Sequence, residues 1–137
     1  MLTWFRRLWT PKADTFGNRG ERAAERYLTA LGYRIIARQH RNAGGELDLV
    51  ALDGDTVVFI EVKTRQGEDH GQPVDAITAD KQRRLTRAAL VFLKQRGWLE
   101  RRSRFDVVAV VWPEETSEPQ ITHYQNAFEA VGRGQMF

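Results

Sequence analysis

Hydrophobic residues recur along the chain at the spacing of two amphipathic helices. The first stripe is formed by Ala24, Tyr27, Leu28 and Leu31, and the second by Leu85, Ala88, Ala89, Phe92 and Leu93. Residues at i, i+3, i+4 and i+7 lie on one face of a helix, and glycine commonly follows a helix end. We therefore predict one helix over residues 18–31 and a second that begins near Thr78 or Asp80 and stops at Gly97.

Shorter apolar runs predict five strands. They cover residues 33–38, 46–51, 56–63, 105–112 and 120–124. The second and third runs flank an Asp-Gly pair, which is a typical signal for a tight hairpin. The predicted order is αβββαββ, an α/β fold with a mixed central sheet flanked by helices. The second helix connects the third and fourth strands, so these two can run parallel through a right-handed crossover.

The remaining segments predict a tail and a loop. Residues 1–16 are amphipathic and lack the small-residue cleavage site of a signal peptide, so we expect a poorly ordered N-terminal tail. Residues 17–137 then form a single domain, as suits a chain of 137 residues. Residues 65–73 have no periodicity and predict a mobile loop.

Composition excludes several classes of function. The chain has no Cys, which rules out a disulfide framework, a thiol nucleophile and a Cys-based zinc site. No apolar run approaches the roughly 20 residues that span a bilayer, so we expect a cytoplasmic protein without a transmembrane segment. The sequence contains neither a nucleophile-elbow serine nor a Walker-type lysine, which excludes the corresponding hydrolases and P-loop NTPases.

Positive charge is concentrated in one stretch. The whole chain has 21 Lys and Arg against 18 Asp and Glu, yet residues 81–104 contain nine basic residues and one acidic residue. This concentration predicts a phosphate-binding surface, and a solvated helix face is the competing interpretation. The residues that we expect to contact nucleic acid are Lys81, Arg83, Arg84, Arg87, Arg101 and Arg102.

Charged residues alternate along the predicted hairpin. One face carries Glu46, Asp48, Phe59, Glu61 and Lys63, and the other carries Leu47, Leu49, Val58, Ile60 and Val62. A two-residue loop at residues 53–54 pairs Asp48 with Phe59 and Glu46 with Glu61. Asp48 is then diagonal to Glu61, so the two carboxylates can converge.

Three carboxylates on one strand face repel each other unless cations compensate. Lys63 supplies one charge, and a divalent metal would supply more. Mg²⁺ prefers one or two carboxylates with water and phosphate oxygens, which Asp48 and Glu61 can offer. Lys63 is then placed to orient or help deprotonate an attacking water. A structural ion-pair cluster is the alternative, and the pattern alone leaves both open.

These motifs resemble the YraN family of bacterial proteins. The resemblance covers about residues 17–128 and rests on Gly20-Glu21, Tyr27-Leu28, Gly32-Tyr33, residues 45–50, 58–65, 81–84, 105–108 and 126–128. That family is similar to the PD-(D/E)xK nucleases and especially to archaeal Holliday junction resolvases. The implied fold is restriction-endonuclease-like, with an αβββαβ core.

The resemblance also implies a site and an activity. Asp48 takes the place of the Asp of the motif, with Leu47 where the motif has Pro, and Glu61 and Lys63 form its Glu-x-Lys. Glu21 takes the place of a catalytic carboxylate on the first helix, and Asp48 and Glu61 are the metal ligands. The implied activity is Mg²⁺- or Mn²⁺-dependent, structure-selective cleavage of DNA phosphodiester bonds, branched DNA included. A catalytically inactive nucleic-acid-binding or assembly factor of the same fold is the alternative.

Several points stay open. Glu25 lies one helical turn after Glu21 and is the alternative acid on the first helix. Glu46 either supports the metal ligands or pairs with an arginine. We expect DNA in preference to RNA as the partner, and the oligomeric state is undetermined, with a homodimer among the options.

Overall fold

The chain forms a five-stranded sheet with a helix on each face. The computed structural model describes residues 15–67, 77–114 and 117–131. The elements are α1 (Phe16–Ala30), β1 (Arg34–Asn42), β2 (Gly45–Asp53), β3 (Thr56–Gln66), α2 (Ala79–Arg96), β4 (Ser103–Trp112) and β5 (Gln120–Phe128). This order confirms the predicted αβββαββ sequence, and it contains the restriction-endonuclease-like αβββαβ core followed by one additional strand.

The strands lie in the sheet in chain order, from β1 to β5. β3 and β4 are parallel and are connected through α2, whereas the other neighbours are antiparallel. The parallel pair confirms the predicted crossover. Its register is regular from Val57–Ser103 to Gln66–Trp112, so side chains along β3 alternate between the two faces without interruption.

Two hydrophobic clusters lie on opposite faces of this sheet. Ala23, Ala24 and Leu28 of α1 pack on Leu49, Val58 and Ile60, while Leu85, Ala88, Phe92 and Leu93 of α2 pack on Val50, Val57 and Phe59. The strand face that carries the predicted acidic residues is therefore covered by α2. In the described part of the chain, neither helix is long and apolar enough to cross a membrane.

Local capping fixes where both helices begin. The Thr78 hydroxyl accepts a hydrogen bond from the Lys81 backbone N–H at 3.1 Å, and Gly97 ends α2 in the left-handed region at φ 72°. Both predicted limits of α2 are thus confirmed. α1 begins two residues earlier than predicted because Thr15 is its N-cap and accepts from the Asn18 N–H at 3.0 Å.

The two edge strands are longer than predicted. β1 continues to Asn42 and β5 to Phe128, and each contains a residue with positive φ, Gln39 at 45° and Asn126 at 52°. Polar residues and these irregularities interrupt the apolar patterns, so the sequence gives no clear strand signal there. β3 also includes the first two residues of the predicted 65–73 loop. Residues 68–73 and 1–14 lie outside the described residues, so the mobile loop and the N-terminal tail stay predictions.

The β2–β3 turn differs from the predicted one by one residue. Asp53 pairs with Thr56, so the loop residues are Gly54 and Asp55, and Val50 rather than Asp48 lies opposite Phe59. Gly54 adopts a φ of 62°, which a glycine accepts without strain. The register of β2 against β3 therefore differs from the predicted register by two residues. Because side chains alternate with a period of two, most residues still lie on the face predicted for them.

Leu47 is the exception to the predicted faces. It packs in the α2 cluster with Val50, whereas Leu49 packs in the α1 cluster. Strict alternation would put Leu47 and Leu49 on one face. The alternation breaks at Asp48, where the regular β2–β3 pairing stops and where Gln39 of β1 has its positive φ. This irregularity positions the candidate site.

The contact between α1 and β3 gives a prediction. A Cβ at Gly20 would lie 2.0 Å from Oγ1 and 2.9 Å from Cβ of Thr64. Gly20→Ala should therefore lower the free energy of unfolding by about 1 to 3 kcal/mol through overpacking. Gly17→Ala is the matched control, because the nearest atom to its Cβ is 4.0 Å away. Chemical denaturation checks both variants, and equal stabilities would contradict this packing.

Candidate active site

Asp48 lies where β2 and β3 separate. Regular pairing of the two strands ends at Leu49 and Ile60. One residue further, Oδ2 of Asp48 accepts a hydrogen bond from the Val62 backbone N–H at 2.9 Å. The carboxylate thus replaces a backbone carbonyl as the acceptor for this N–H. This bond fixes the Asp48 side chain between the two strands.

Glu61 brings a second carboxylate to the same place. It lies on the regular part of β3 and is 7% exposed. Its carboxyl group is within hydrogen-bonding reach of that of Asp48, and its Oε2 is 3.4 Å from Nζ of Lys81. The structure therefore brings Asp48 and Glu61 together as predicted, and adds Lys81 from α2 as a direct partner.

Burial and mutual repulsion favour the protonated forms of this pair. Burial, followed by the neighbouring Asp48 charge, raises the pKa of Glu61 to about 7. Burial also raises the pKa of Asp48, against the opposing hydrogen bond from the Val62 N–H. The Lys81 charge favours the ionised form of both groups without fully compensating these effects. Another cation at this position would keep both carboxylates ionised at neutral pH.

Lys63 is on the same face of β3 as Glu61. The unbroken β3–β4 register puts residues two apart on one side of the sheet. The Lys63 charge also lowers the pKa of Glu61. The predicted Glu-x-Lys arrangement is therefore present, with the ammonium near the carboxylate pair.

Glu21 does not join this pair. Its Oε1 accepts a hydrogen bond from Nε2 of Gln39 at 3.0 Å, and the same amide donates to Asn18 at 2.9 Å. Within residues 15–67, 77–114 and 117–131, no three carboxylate or histidine side chains are close enough to hold one metal ion. The described residues therefore do not contain the expected cluster of Glu21, Asp48 and Glu61, and the Glu21 carboxylate is bonded to Gln39 of β1. A role for Glu21 in the site stays a prediction.

The other two candidate acids pair with arginines. Both carboxylate oxygens of Glu25 accept from Arg38, at 2.8 and 2.6 Å, and this lowers the pKa of Glu25. Glu46 pairs with Arg41 at 3.1 Å on an exposed part of the hairpin. Of the two roles considered for Glu46, the structure shows the pairing with an arginine. The negative charge of Glu46 also raises the pKa of nearby Asp48.

Comparison with known proteins places the chain in a family. The uncharacterised protein family UPF0102 matches residues 20–110. A UPF0102 protein of Symbiobacterium thermophilum is 50% identical over 114 residues, which cover 83% of this chain and 96% of the relative. One from Geobacter sulfurreducens is 49% identical over 113 residues, with 82% and 88% covered. The chain belongs to UPF0102. This is the YraN family that its motifs resemble, so that prediction is confirmed.

UPF0102 is described as uncharacterised, so its name assigns no activity to the site. The UPF0102 match begins at Gly20, which packs on β3, and covers both Asp48 and Glu61. It ends in β4 at residue 110, shortly after the buried Asp106. The matched region therefore includes the whole carboxylate pair and its immediate supports.

A second polar network, which sequence reasoning did not identify, supports β4 and β5. Asp106 is 0% exposed and accepts hydrogen bonds from Arg104 at 2.9 Å and from the Asn126 backbone N–H at 2.9 Å, and it contacts His123 Nε2 at 2.8 Å. Burial would raise the pKa of Asp106, but these partners together hold it below its usual value. The network connects Asp106 of the 105–108 motif to Asn126 of the 126–128 motif, and it gives His123 a structural role.

This network also corrects the predicted basic surface. Arg104 was counted with the basic stretch, yet its side chain is 19% exposed and also contacts Asp53 at 3.2 Å. Arg83 and Arg84 both pair with Asp80, at 3.5 and 3.2 Å, which reduces the net charge that they present. Lys81 pairs with Glu61.

The other three predicted contacts, Arg87, Arg101 and Arg102, are better placed to bind a phosphate backbone. Arg87 and Arg102 are exposed, and the Arg101 guanidinium lies 4.3 Å from the centre of the Trp98 ring. A groove of about 540 Å³ between the β2–β3 turn and the α2–β4 connection is lined by Asp55, Thr56, Arg101 and Arg102. The part of the basic stretch best suited to bind a phosphate backbone is therefore Arg87 together with this groove.

The raised pKa of Glu61 predicts a pH-dependent stability. Between pH 4.5 and about 7 the folded metal-free chain binds more protons than the unfolded chain, so its free energy of unfolding falls as the pH rises. At about 1.4 kcal/mol per pKa unit, the loss should approach 3 kcal/mol. Glu61→Gln should remove this loss, and exposed Glu46→Gln should not. Denaturation in EDTA at pH 5 and pH 8 tests this, and parallel pH profiles for wild type and Glu61→Gln would contradict it.

Proposed function

We propose that this UPF0102 protein is a metal-dependent nuclease that hydrolyses phosphodiester bonds in DNA. The observation that carries the proposal is the pair formed by buried Glu61 and half-buried Asp48, with Lys63 on the same face as Glu61, at the point where β2 and β3 separate. A stabilising ion-pair cluster does not need two adjacent carboxylates withdrawn from solvent, because their repulsion and desolvation oppose folding. A site that binds a cation does need them.

The residues present fit a hard divalent cation. Both side chains offer oxygen atoms, and Mg²⁺ is commonly held by one or two carboxylates plus water and substrate phosphate oxygens. Mn²⁺ accepts the same ligands. Asp48 and Glu61 would hold the ion, which would supply positive charge beside the scissile phosphate and acidify the attacking water. Among the residues that the structure describes, no third carboxylate is close enough to share one ion with the pair, which is compatible with this ligand preference.

Other groups of the protein would position the metal ligands and the attacking water. The Val62 N–H holds the Asp48 carboxylate in place, so its orientation does not depend on the cation. The Lys63 ammonium can orient the attacking water and offset the negative charge that develops on the phosphate oxygens. Glu21, held by Gln39, is outside the pair, and we assign it a supporting role at most.

DNA is the proposed substrate, with branched DNA as the first structure to test. This choice follows from the resemblance of the motifs to those of archaeal Holliday junction resolvases. Arg87 is an exposed residue of α2, the helix whose Lys81 contacts Glu61, and Arg101 and Arg102 add positive charge in the connection that follows α2. A phosphate backbone bound at Arg87 would run along the helix that covers Glu61.

Substitutions in the pair test this proposal. Asp48→Ala and Glu61→Ala should each abolish Mg²⁺-dependent cleavage, and Lys63→Ala should lower it about 100-fold or more, as for loss of a group that assists proton transfer. DNA affinity should stay within a few-fold, since the basic residues are unchanged. Glu118→Ala, on an exposed residue before β5, is the control, and EDTA should inhibit every active variant.

Cleavage should be measured on junctions, flaps, single strands and duplexes, in Mg²⁺ and in Mn²⁺. Glu21→Ala should retain more activity than Asp48→Ala because we assign Asp48 to metal binding and Glu21 only to a supporting role. Wild-type protein that binds these substrates but cleaves none of them above the Asp48→Ala background would overturn the nuclease proposal. That result would instead favour a nucleic-acid-binding or assembly factor of the same fold.

The basic surface generates a separate prediction for binding. The double variant Arg87→Glu/Arg102→Glu should weaken DNA binding and reduce the slope of log affinity against log salt by about 2, since each phosphate contact on duplex DNA contributes about 0.9. The same charge change at exposed Arg34 of β1 is the control and should have a smaller effect. Fluorescence anisotropy at several salt concentrations measures both quantities. An unchanged slope in the double variant would exclude this surface.

A further inference from the structure

Lys81 contacts the carboxylate pair from a different element. Its Nζ is 3.4 Å from Oε2 of Glu61, and its side chain is 39% exposed while that of Glu61 is 8% exposed. The side chain therefore extends from solvent to a nearly buried carboxylate. The motif pattern assigned a lysine to the site on β3, at Lys63, and gave Lys81 to the general basic surface.

The backbone around Lys81 is fixed by the start of α2. Its N–H donates to the Thr78 hydroxyl at 3.1 Å, which anchors this residue in the first helical turn. Gln82 also donates from its side chain to the Ile77 carbonyl at 3.1 Å. The main chain is thus held, while the long aliphatic side chain keeps rotatable bonds that can move its ammonium group.

The Lys81 ammonium acts on both carboxyl groups of the pair. Its charge opposes the effect of burial on the pKa of Asp48 and on that of Glu61, whereas Lys63 is a smaller influence and acts on Glu61. Lys81, which contacts Glu61 directly, is therefore a counter-ion of the pair. A divalent ion held by the same carboxylates would meet strong repulsion from an ammonium group that remained there.

We propose that Lys81 is a displaceable counter-ion of the metal site. In the metal-free protein its ammonium neutralises the Asp48–Glu61 pair, and metal binding displaces it from Glu61 toward a phosphate oxygen of the nucleic acid. This inference rests on the proposed function. It gives Lys81 two successive partners, first a carboxylate and then a substrate phosphate, and it separates Lys81 from the other basic residues of α2.

Metal binding can be measured without any cleavage reaction. The probe is Mn²⁺ alone, titrated into the full-length protein at pH 8 and followed by the electron paramagnetic resonance signal of the free ion. Lys81→Met removes the charge but keeps a long unbranched side chain, and it should bind Mn²⁺ about 10-fold more tightly because the competing cation is gone. Lys81→Arg keeps the charge and should bind like wild type. Lys94→Met, an exposed residue in the last turn of α2, should not change Mn²⁺ affinity.

The proposed contact of Lys81 with a substrate phosphate predicts that Lys81→Met weakens DNA binding, although it strengthens metal binding. In Ca²⁺, which occupies carboxylate sites and is used here in place of Mg²⁺ to allow binding measurements, Lys81→Met should bind DNA several-fold more weakly than wild type. Tighter metal binding combined with weaker DNA binding is not expected of a residue that merely stabilises the fold. Such a residue would lower the melting temperature and weaken both kinds of binding.

The outcomes distinguish this inference from the nuclease proposal. If Lys81→Met binds Mn²⁺ more tightly but no variant cleaves DNA, the counter-ion role stands and the nuclease activity does not. If wild type cleaves DNA but Lys81→Met binds Mn²⁺ with unchanged or lower affinity, the counter-ion role is overturned and the nuclease stands. If neither wild type nor Lys81→Met binds Mn²⁺, both are overturned.

Discussion

The structure depends on the close approach of buried Glu61 and half-buried Asp48 where a pair of strands separates. Asp48 takes over a backbone acceptor position at Val62, and this opens the β2–β3 ladder beside Glu61. At the same interruption Leu47 enters the α2 cluster, whereas Leu49 stays in the α1 cluster. A fold that only needed stability would pair these positions regularly, because burying two like charges together is unfavourable.

Most of the architecture could be predicted from the sequence because it follows from local signals. The α2 stripe, its Thr78 cap and its Gly97 end define one helix without any tertiary information. The β2–β3 hairpin could be predicted from an Asp-Gly pair, and the error of one residue in the turn shifted the register by two, which leaves Val58, Phe59 and Ile60 on their predicted faces. The Glu-x-Lys spacing alone puts Glu61 and Lys63 on one face, since strand side chains alternate.

The remaining features depend on contacts between elements distant in sequence. Nothing local to Glu21 indicates that the Gln39 amide bonds its carboxylate, and nothing local to Arg104 indicates that Asp106 and Asp53 remove it from the basic surface. Lys81 lies in a run of basic residues, where the pattern predicts a solvent-facing or phosphate-facing side chain. Its contact with Glu61 arises because α2 packs on the acidic strand face.

We expect Asp48 and Glu61 to share one divalent ion. The most direct test is a crystal structure of the wild-type protein grown with Mn²⁺, with anomalous diffraction data collected at the manganese absorption edge. We expect one anomalous peak in contact with both carboxylates, with the Lys81 ammonium no longer on Glu61. A map at saturating Mn²⁺ without a peak at this position, and with Lys81 still paired with Glu61, would contradict the account.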